Sequence, residues 1–260
     1  MEVVILPDER AIASLAADAV ESLLARTAGA VLGLATGSSP LGVYRELTAR
    51  CAAGSVSFAE ARGFLLDEYV GLPEGHPEAY RSVIRRDFVD GVDFAEGAVV
   101  GPDGTAADVV AACSAYETSL RAAGGVDLQL LGIGTDGHVG FNEPGSSLAS
   151  RTRIKTLTDQ TRRDNARFFG SLEEVPRHVV TQGLGTISEA WHLLLVATGE
   201  RKAEAVRAMV EGPVSAYCPA SVLQLHPHAT VLLDEPAASR LELADYYRET
   251  YAHKPPWQPL

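Results

Sequence analysis

Short apolar runs alternate with amphipathic, helix-like stretches along almost the whole chain, and this alternation restricts the fold more than any other feature. Near-continuous apolar runs are typical of parallel strands covered on both faces by helices. The predicted strands are Val3–Leu6, Ala30–Leu34, Gly63–Leu66, Ala98–Val100, Val126–Ile133, Trp191–Ala197 and Thr230–Leu233. The first predicted helix starts after Asp8, and the second runs from the turn before Pro40 to about Ala52. Three more span Ala106–Ala122, Gln160–Phe168 and Arg201–Glu211, and the last starts at Asp234. The pattern predicts an α/β protein with a mostly parallel sheet, whose ligands bind at the carboxyl ends of the strands.

The composition is that of an ordinary soluble globular protein, with 46% hydrophobic and 22% charged residues in a chain of 260. No repeat or linker-like stretch divides it, so we expect one domain over 1–260 with an irregular tail at about 251–260. No apolar run approaches the roughly 20 residues of a membrane helix, and the acidic N-terminus lacks the basic start of a secretory signal. We therefore expect a cytoplasmic protein with no membrane partner.

The formal net charge of -12 disfavours binding to nucleic acid, which needs clustered Lys and Arg. An anionic ligand would require a local positive site. The three cysteines, Cys51, Cys113 and Cys218, are odd in number and too widely spaced for a disulfide framework or a CxxC metal site. The histidines show no metal-ligand spacing either, so no metal is expected.

A hydroxyl-rich turn, Thr36-Gly37-Ser38-Ser39, separates a predicted strand from a helix that begins at Pro40. Such a turn presents backbone N–H groups and hydroxyls to an anion at a helix N-terminus. It is not a Walker loop, because no Gly-Lys-Ser/Thr follows. On its own the turn fits either a phosphate site or a plain capped helix.

Asp67 follows another apolar strand. A carboxyl group that emerges from apolar surroundings can have a raised pKa and serve as a general base. In isolation, Asp67-Glu68-Tyr69 fits a solvated acidic turn equally well.

The segment from Gly132 to Pro144 contains G-x-G-x-x-G after a strand, but Asp136 inside the turn would repel a pyrophosphate and Pro144 interrupts any helix. A dinucleotide site is therefore rejected. The segment instead places His138 between two carboxylates, Asp136 and Glu143, which suits an imidazole that acts as an acid and base near neutral pH.

Several cations could bind a phosphate by charge-assisted hydrogen bonds. Arg151, Arg153 and Lys155 alternate and would share one side of an extended segment. Two further candidates are Arg167 and Lys202, the second of which lies just past a predicted strand. A solvated charged face remains the alternative for all of them.

Taken together, these residues resemble the glucosamine-6-phosphate deaminase family. The matching segments occur in the family's order and are Leu34–Pro40, Leu66–Leu72, Gly134–Pro144, Ser146–Thr158 and Leu223–Pro227. The resemblance implies a three-layer αβα sandwich with a mostly parallel, modified Rossmann-like sheet. It also implies conversion of glucosamine 6-phosphate and water to fructose 6-phosphate and ammonium, in amino-sugar catabolism, with no cofactor.

By matching position, the resemblance makes Asp67 the base that moves a proton between C2 and C1, and His138 the group that opens the sugar ring. Asp136 and Glu143 would orient and tune His138. The phosphate would be held by Thr36, Gly37, Ser38, Ser39, Arg167 and Lys202.

Some members of the family are hexamers activated by N-acetylglucosamine 6-phosphate, which binds between subunits. Ser146, Ser147, Arg153 and Lys155 match the activator positions. Ser38 replaces a Gly that is common in the family's phosphate loop, and the C-terminal segment diverges. Since the tail can contribute to the activator site, this divergence bears on activation rather than on catalysis. The family includes both hexamers and monomers, so the resemblance leaves the oligomeric state open.

Two other functions fit parts of the pattern. A related 6-phosphogluconolactonase also carries a G-x-G-x-D-G-H turn, but it is expected to have Asp-Glu-Arg in place of Asp67-Glu68-Tyr69 and to lack Asn142-Glu143-Pro144. A non-catalytic sugar-phosphate sensor is expected to have lost acid and base residues, all of which are present here.

Overall fold

The computed structural model describes residues 1–255, 257, 258 and 260, without the side chains of residues 160 and 164. Its centre is a seven-stranded sheet in the order β1-β10-β9-β6-β2-β3-β5, in which every neighbouring pair is parallel. The strands are β1 (Glu2–Leu6), β2 (Val31–Leu34), β3 (Arg62–Leu65), β5 (Val99–Val100), β6 (Leu128–Leu131), β9 (His192–Ala197) and β10 (Ala229–Asp234). The prediction of a parallel α/β sheet is confirmed.

Nine α-helices are assigned within the described residues. They are α1 (Glu9–Arg26), α2 (Leu41–Ala52), α3 (Tyr80–Asp87), α4 (Val109–Ala122), α5 (Asp159–Asn165), α6 (Leu184–Ile187), α7 (Ala203–Val210), α8 (Glu235–Ala238) and α9 (Ala244–Ala252). In the part of the chain that the structure describes, none of them is both long and apolar enough to cross a bilayer.

Alternate residues of β9, an interior strand of the sheet, enter two different hydrophobic cores. Leu193 and Leu195 pack into the core that includes α4 and α7, whereas Leu194 and Val196 pack into the core that includes α1 and α2. A strand whose successive side chains are all buried must be covered on both faces. The sheet is therefore the middle layer of an αβα sandwich.

A second, three-stranded antiparallel sheet lies in the order β4-β8-β7 and was not predicted. Its strands are β4 (Asp67–Tyr69), β7 (Arg153–Thr156) and β8 (His178–Thr181). β4 begins only two residues after β3 ends, so the chain passes from the main sheet directly into the small one. This passage positions Asp67.

Several predicted helix boundaries were wrong. The helix predicted from Asp234 is two helices, α8 and α9, and the helix predicted at Gln160–Phe168 ends at Asn165 before a 3₁₀ turn, Ala166–Phe168. The helix predicted from Arg201 begins as a 3₁₀ turn at Glu200–Lys202. The last helix ends at Ala252, two residues inside the region expected to be irregular.

Candidate active site

The turn after β2 and the loop after β6 contact each other at the carboxyl edge of the main sheet. A Cβ on Gly132 would lie 3.2 Å from the Cβ of Ser39, a tight contact, so glycine favours this close approach. Gly37 has a φ of 95°, which favours glycine and bends the turn. Pro40 occupies the N-cap position of α2 rather than its first turn, and it makes no side-chain capping bond. The N-terminus of α2 is therefore left to backbone donors, as an anion site needs.

Lys202 reaches the same loop from the 3₁₀ turn that follows β9, Glu200–Lys202. Its Nζ donates a 2.6 Å hydrogen bond to the carbonyl of Ile133. The backbone three residues before Lys202 is held by Asp234 at the end of β10, whose carboxylate accepts the N–H of Gly199 at 3.0 Å. Ser39 and Lys202 thus both contact the start of the loop after β6, and together they supply a cation and hydroxyls to one edge of the sheet.

His138 and Asp136 form a hydrogen-bonded pair in that loop. Nδ1 of His138 lies 2.6 Å from Oδ1 of Asp136, and the backbone N–H of His138 donates to the same oxygen at 3.2 Å. Burial alone would raise the pKa of Asp136, but the bonds from His138 outweigh it and the pKa is lowered. Asp136 is therefore ionised at neutral pH and fixes the ring.

Two glycines allow close approaches in this loop, one to the His138 ring and one to Cys218. A Cβ at Gly134 would lie 2.2 Å from the His138 ring, and one at Gly137 would lie 2.7 Å from the Sγ of Cys218. Gly137 also has a φ of 84°. The glycines that resemble a dinucleotide motif in the sequence serve instead for close packing of the loop: Gly132 against Ser39, Gly134 against the His138 ring and Gly137 against Cys218.

Asp67 is buried, with 5% of its surface exposed. Desolvation, and after it the charge of Glu68, raises the pKa of Asp67 to about 8. The carboxyl group faces the loop that carries His138, because a Cβ on Gly140 would lie 3.4 Å from its Oδ2. Of the two alternatives that the sequence leaves open for Asp67, the solvated turn is excluded by this burial.

Glu143 makes its hydrogen bonds to two hydroxyls of the α5 segment rather than to the histidine. Oγ1 of Thr161 donates to Oε1 of Glu143 at 2.5 Å, and Oγ1 of Thr158 donates to it at 3.4 Å. Glu143 therefore joins the loop to the segment that follows β7. That it also orients His138 stays a prediction.

The remaining cations differ in their surroundings. Arg151 pairs with Glu117 and Glu189, so it is committed to a structural network. Arg167 is exposed, with its guanidinium 4.7 Å from the centre of the Phe168 ring, and its phosphate contact stays a prediction.

Arg153 and Lys155 lie two positions apart on β7 and are both half-buried, as the alternating pattern predicts for one face of a strand. Ser146 is buried, and its Oγ has no hydrogen-bond partner among the described residues. Ser147 lies in the same loop and accepts the N–H of Ala149 through its hydroxyl at 3.3 Å.

Sequence reasoning missed the residues that support Asp67. Glu68 and Tyr69 were read only as part of a motif, yet both are buried and form hydrogen bonds to distant segments. Their partners include backbone groups and a side chain far along the chain, so the sequence carries no signal for these contacts. In the described part of the chain, no cluster of three or more His, Cys, Asp or Glu could hold a metal ion.

Residues 8–232 match a family described as glucosamine-6-phosphate isomerases/6-phosphogluconolactonase. The chain belongs to this family. It is 68% identical to a glucosamine-6-phosphate deaminase of Pseudarthrobacter chlorophenolicus over 258 residues, and 69% identical to one of Mycolicibacterium smegmatis over 259 residues. In both cases the match covers 99% of each chain.

A solved structure of a monomeric glucosamine-6-phosphate deaminase superposes on the chain with a TM-score of 0.89 at 41% identity, covering 92% of this chain and 99% of that one. The enzyme family and the αβα architecture implied by the motifs are therefore confirmed. The family description names two activities, and residues of the site must decide between them.

Proposed function

We propose that the chain converts glucosamine 6-phosphate and water to fructose 6-phosphate and ammonium. The observation that carries this proposal is the placement of the buried Asp67 carboxyl against Gly140, within the loop that holds the His138–Asp136 pair. One carboxyl with a raised pKa and one oriented imidazole are the two proton-transfer groups that the reaction needs.

His138 supports ring opening. A carboxylate only accepts hydrogen bonds, so Asp136 places the ring proton of the neutral imidazole on Nδ1 and leaves the Nε2 lone pair for the substrate. Nε2 takes the proton of the C1 hydroxyl and returns a proton to the ring oxygen as the C1–O bond breaks. The product is the open-chain aldehyde.

Asp67 then acts on the open chain. Its ionised form removes the hydrogen from C2, one proton of the substrate's ammonium group passes to the C1 oxygen, and Asp67 returns its proton to C1. The products of this step are a C1 hydroxymethyl group and a protonated imine at C2. Water adds to that imine, and ammonia departs as the C2 carbonyl forms. Because the substrate's ammonium group lies on the carbon that Asp67 attacks, its positive charge favours the ionised carboxylate once substrate binds. Each step is a proton transfer or a water addition, which the residues of this site can perform.

The phosphate is proposed to lie between the turn Thr36–Ser39 and Lys202. Both contact the loop after β6, on the same edge as His138. Hydroxyls, backbone N–H groups and one ammonium form a locally positive site in a chain whose net charge is -12.

The direct test incubates the purified chain with glucosamine 6-phosphate and measures ammonium and fructose 6-phosphate together. We expect both products in equal amounts. A parallel reaction with 6-phosphogluconolactone tests the other activity named for the family. Lactone hydrolysis without ammonium release would contradict the proposal, as would an absence of product with and without N-acetylglucosamine 6-phosphate.

We further propose that N-acetylglucosamine 6-phosphate binds at Ser146, Ser147, Arg153 and Lys155 and activates a hexameric form of the chain. The support is the pair of half-buried cations on β7 and the buried Ser146 hydroxyl without a described partner. Light scattering with and without this sugar phosphate measures the assembly. A monomer in both conditions would contradict the hexamer.

A further inference from the structure

Glu68 is a buried carboxylate to which the proposed reaction gives no role. Only 8% of its surface is exposed, and its two oxygens accept three backbone N–H groups. Oε1 accepts from Tyr69 and Tyr80 at 2.8 Å each, and Oε2 accepts from Arg81 at 2.9 Å. A buried carboxylate satisfied by backbone donors from two elements joins those elements rigidly.

The first of these donors lies on the outer edge of β4, which is an edge strand of the small sheet. Backbone bonds from Gln182 to Leu66 and from Val70 to His178 set the pairing of β4 with β8, and they direct the N–H of Tyr69 away from β8. Tyr69 is 2% exposed, so this donor would be buried without a partner if Glu68 did not accept it.

The other two donors belong to the first turn of α3. Its N-cap residue is Ala79, whose side chain cannot accept a hydrogen bond. Glu68 therefore caps α3 from a separate strand through Tyr80 and Arg81. The negative charge also suits the positive end of the helix dipole.

These three hydrogen bonds fix the position of Glu68 and therefore the backbone of Asp67, which precedes it in the chain. We propose that Glu68 is the positioning residue for Asp67: it fixes β4 to the first turn of α3 and so holds the Asp67 carboxyl against Gly140, facing the loop of His138. Glu68 also contributes a negative charge beside Asp67. This charge is, after desolvation, the second cause of the raised Asp67 pKa. The inference rests on the proposed function, since it assigns a role within the same reaction.

Two variants separate the geometry from the charge. Glu68→Gln removes the charge and replaces one accepting oxygen by a donor, so one oxygen can no longer accept a backbone N–H. Glu68→Asp keeps the charge but shortens the side chain. In both variants we expect kcat to fall about 10-fold or more while KM changes less than about 3-fold, because substrate contacts are untouched.

The pH profile distinguishes positioning from general destabilisation. In Glu68→Gln we expect the rising limb of kcat/KM to move about one unit to lower pH, because loss of the neighbouring charge lowers the Asp67 pKa. In Glu68→Asp the limb stays where it is in the wild type. The substrate ionises in the same way in assays of the wild type and of both variants, so a difference between their pH profiles reflects a group of the enzyme.

Glu117→Gln is the matched control. Glu117 is also a buried glutamate, and it accepts a backbone N–H from Thr152 at 2.8 Å, but it bonds to other segments. We expect this variant to lose thermal stability with an unchanged rising limb. An equal limb shift in Glu117→Gln and Glu68→Gln overturns the inference, as does full kcat in both Glu68 variants.

A second readout needs no activity. The change in melting temperature on Asp67→Asn is measured against pH in the wild-type and Glu68→Gln backgrounds. Without the charge of Glu68, the stabilisation by Asp67→Asn should be smaller at pH 8.5. Equal stabilisation in both backgrounds overturns the charge effect. Should the wild type fail to release ammonium, the proposed function fails, and this thermal comparison still decides whether Glu68 acts on Asp67.

Discussion

Nδ1 of His138 lies 2.6 Å from Oδ1 of Asp136, and the same oxygen accepts the backbone N–H of His138. One carboxylate oxygen therefore fixes both the ring and the backbone that carries it. The ring is not sealed in the interior, because 27% of the His138 side chain is exposed.

This pairing makes Asp136→Asn a test of ring orientation. An amide can donate to Nδ1 and so stabilise the wrong tautomer, and we expect kcat on glucosamine 6-phosphate to fall about 100-fold or more. The loss should be far smaller on an open-chain analogue, which needs no ring opening. Steady-state kinetics on both substrates checks this, and equal losses would remove the ring-opening role from the pair.

Gly134→Ala tests the space that the imidazole needs. A Cβ there would lie 2.2 Å from the His138 ring, so the ring must leave its position and we expect at least a 10-fold fall in kcat. Gly101→Ala is the control, because its Cβ would make an ordinary contact of 3.4 Å with Leu65. Similar activity of the two variants would show that the ring position is not critical.

Asp67→Asn should abolish turnover and stabilise the fold at alkaline pH. Burial keeps a proton on Asp67 up to a pKa of about 8, so between about pH 4 and pH 8 the folded chain binds more protons here than the unfolded chain. Stability therefore falls as the pH rises through this window. An amide is neutral throughout, and we expect a gain on the order of 5 °C in melting temperature at pH 8.5 that shrinks towards pH 5.

Scanning calorimetry at several pH values measures this difference. Asp90→Asn is the control, since Asp90 is an exposed partner of Arg85 and should show little pH-dependent gain. A melting temperature for Asp67→Asn that is equal to that of the wild type at every pH would mean that the carboxyl does not resist ionisation.

The convergence of Ser39, His138 and Lys202 could be predicted from the sequence because each follows a strand, and parallel strands end at one edge of a sheet. The small sheet could not. The alternating cations Arg151, Arg153 and Lys155 indicate an extended segment, but the four residues of β7, Arg-Ile-Lys-Thr, do not show which strand it pairs with. The small sheet forms because β8 pairs with β7 on one side and with β4 on the other.

The support of Asp67 was hidden for a different reason. The partners of Glu68 are backbone N–H groups 12 and 13 positions away, which leave no signature in side-chain identity. The bond from Thr161 to Glu143 depends likewise on how α5 folds back over the loop. Sequence patterns predict which residues reach the edge of the sheet, whereas tertiary contacts decide which neighbours hold them there.

Arg153→Ala tests the proposed activator site. Arg153 is half-buried, and burial lowers its pKa, so a cation is held there against desolvation. We expect the variant to keep basal turnover within about 3-fold and to lose most of the rise in kcat/KM caused by N-acetylglucosamine 6-phosphate. An undiminished response would place the activator elsewhere.

Lys202→Met tests the phosphate site. The ammonium of Lys202 is fixed by the carbonyl of Ile133 beside the turn that contains Ser39, so it supplies positive charge at a defined point in an acidic chain. Its removal should raise KM for glucosamine 6-phosphate about 10-fold or more, since a charge-assisted phosphate contact is worth about 1.5–3 kcal/mol.

Arg201→Met is the matched control: Arg201 is the adjacent cation but is exposed, and its loss changes the net charge equally. If the two variants raise KM to the same extent, the effect comes from the overall field. If only Lys202→Met does, and the wild-type KM rises with added salt while that of Lys202→Met rises less, the charge acts directly on the phosphate.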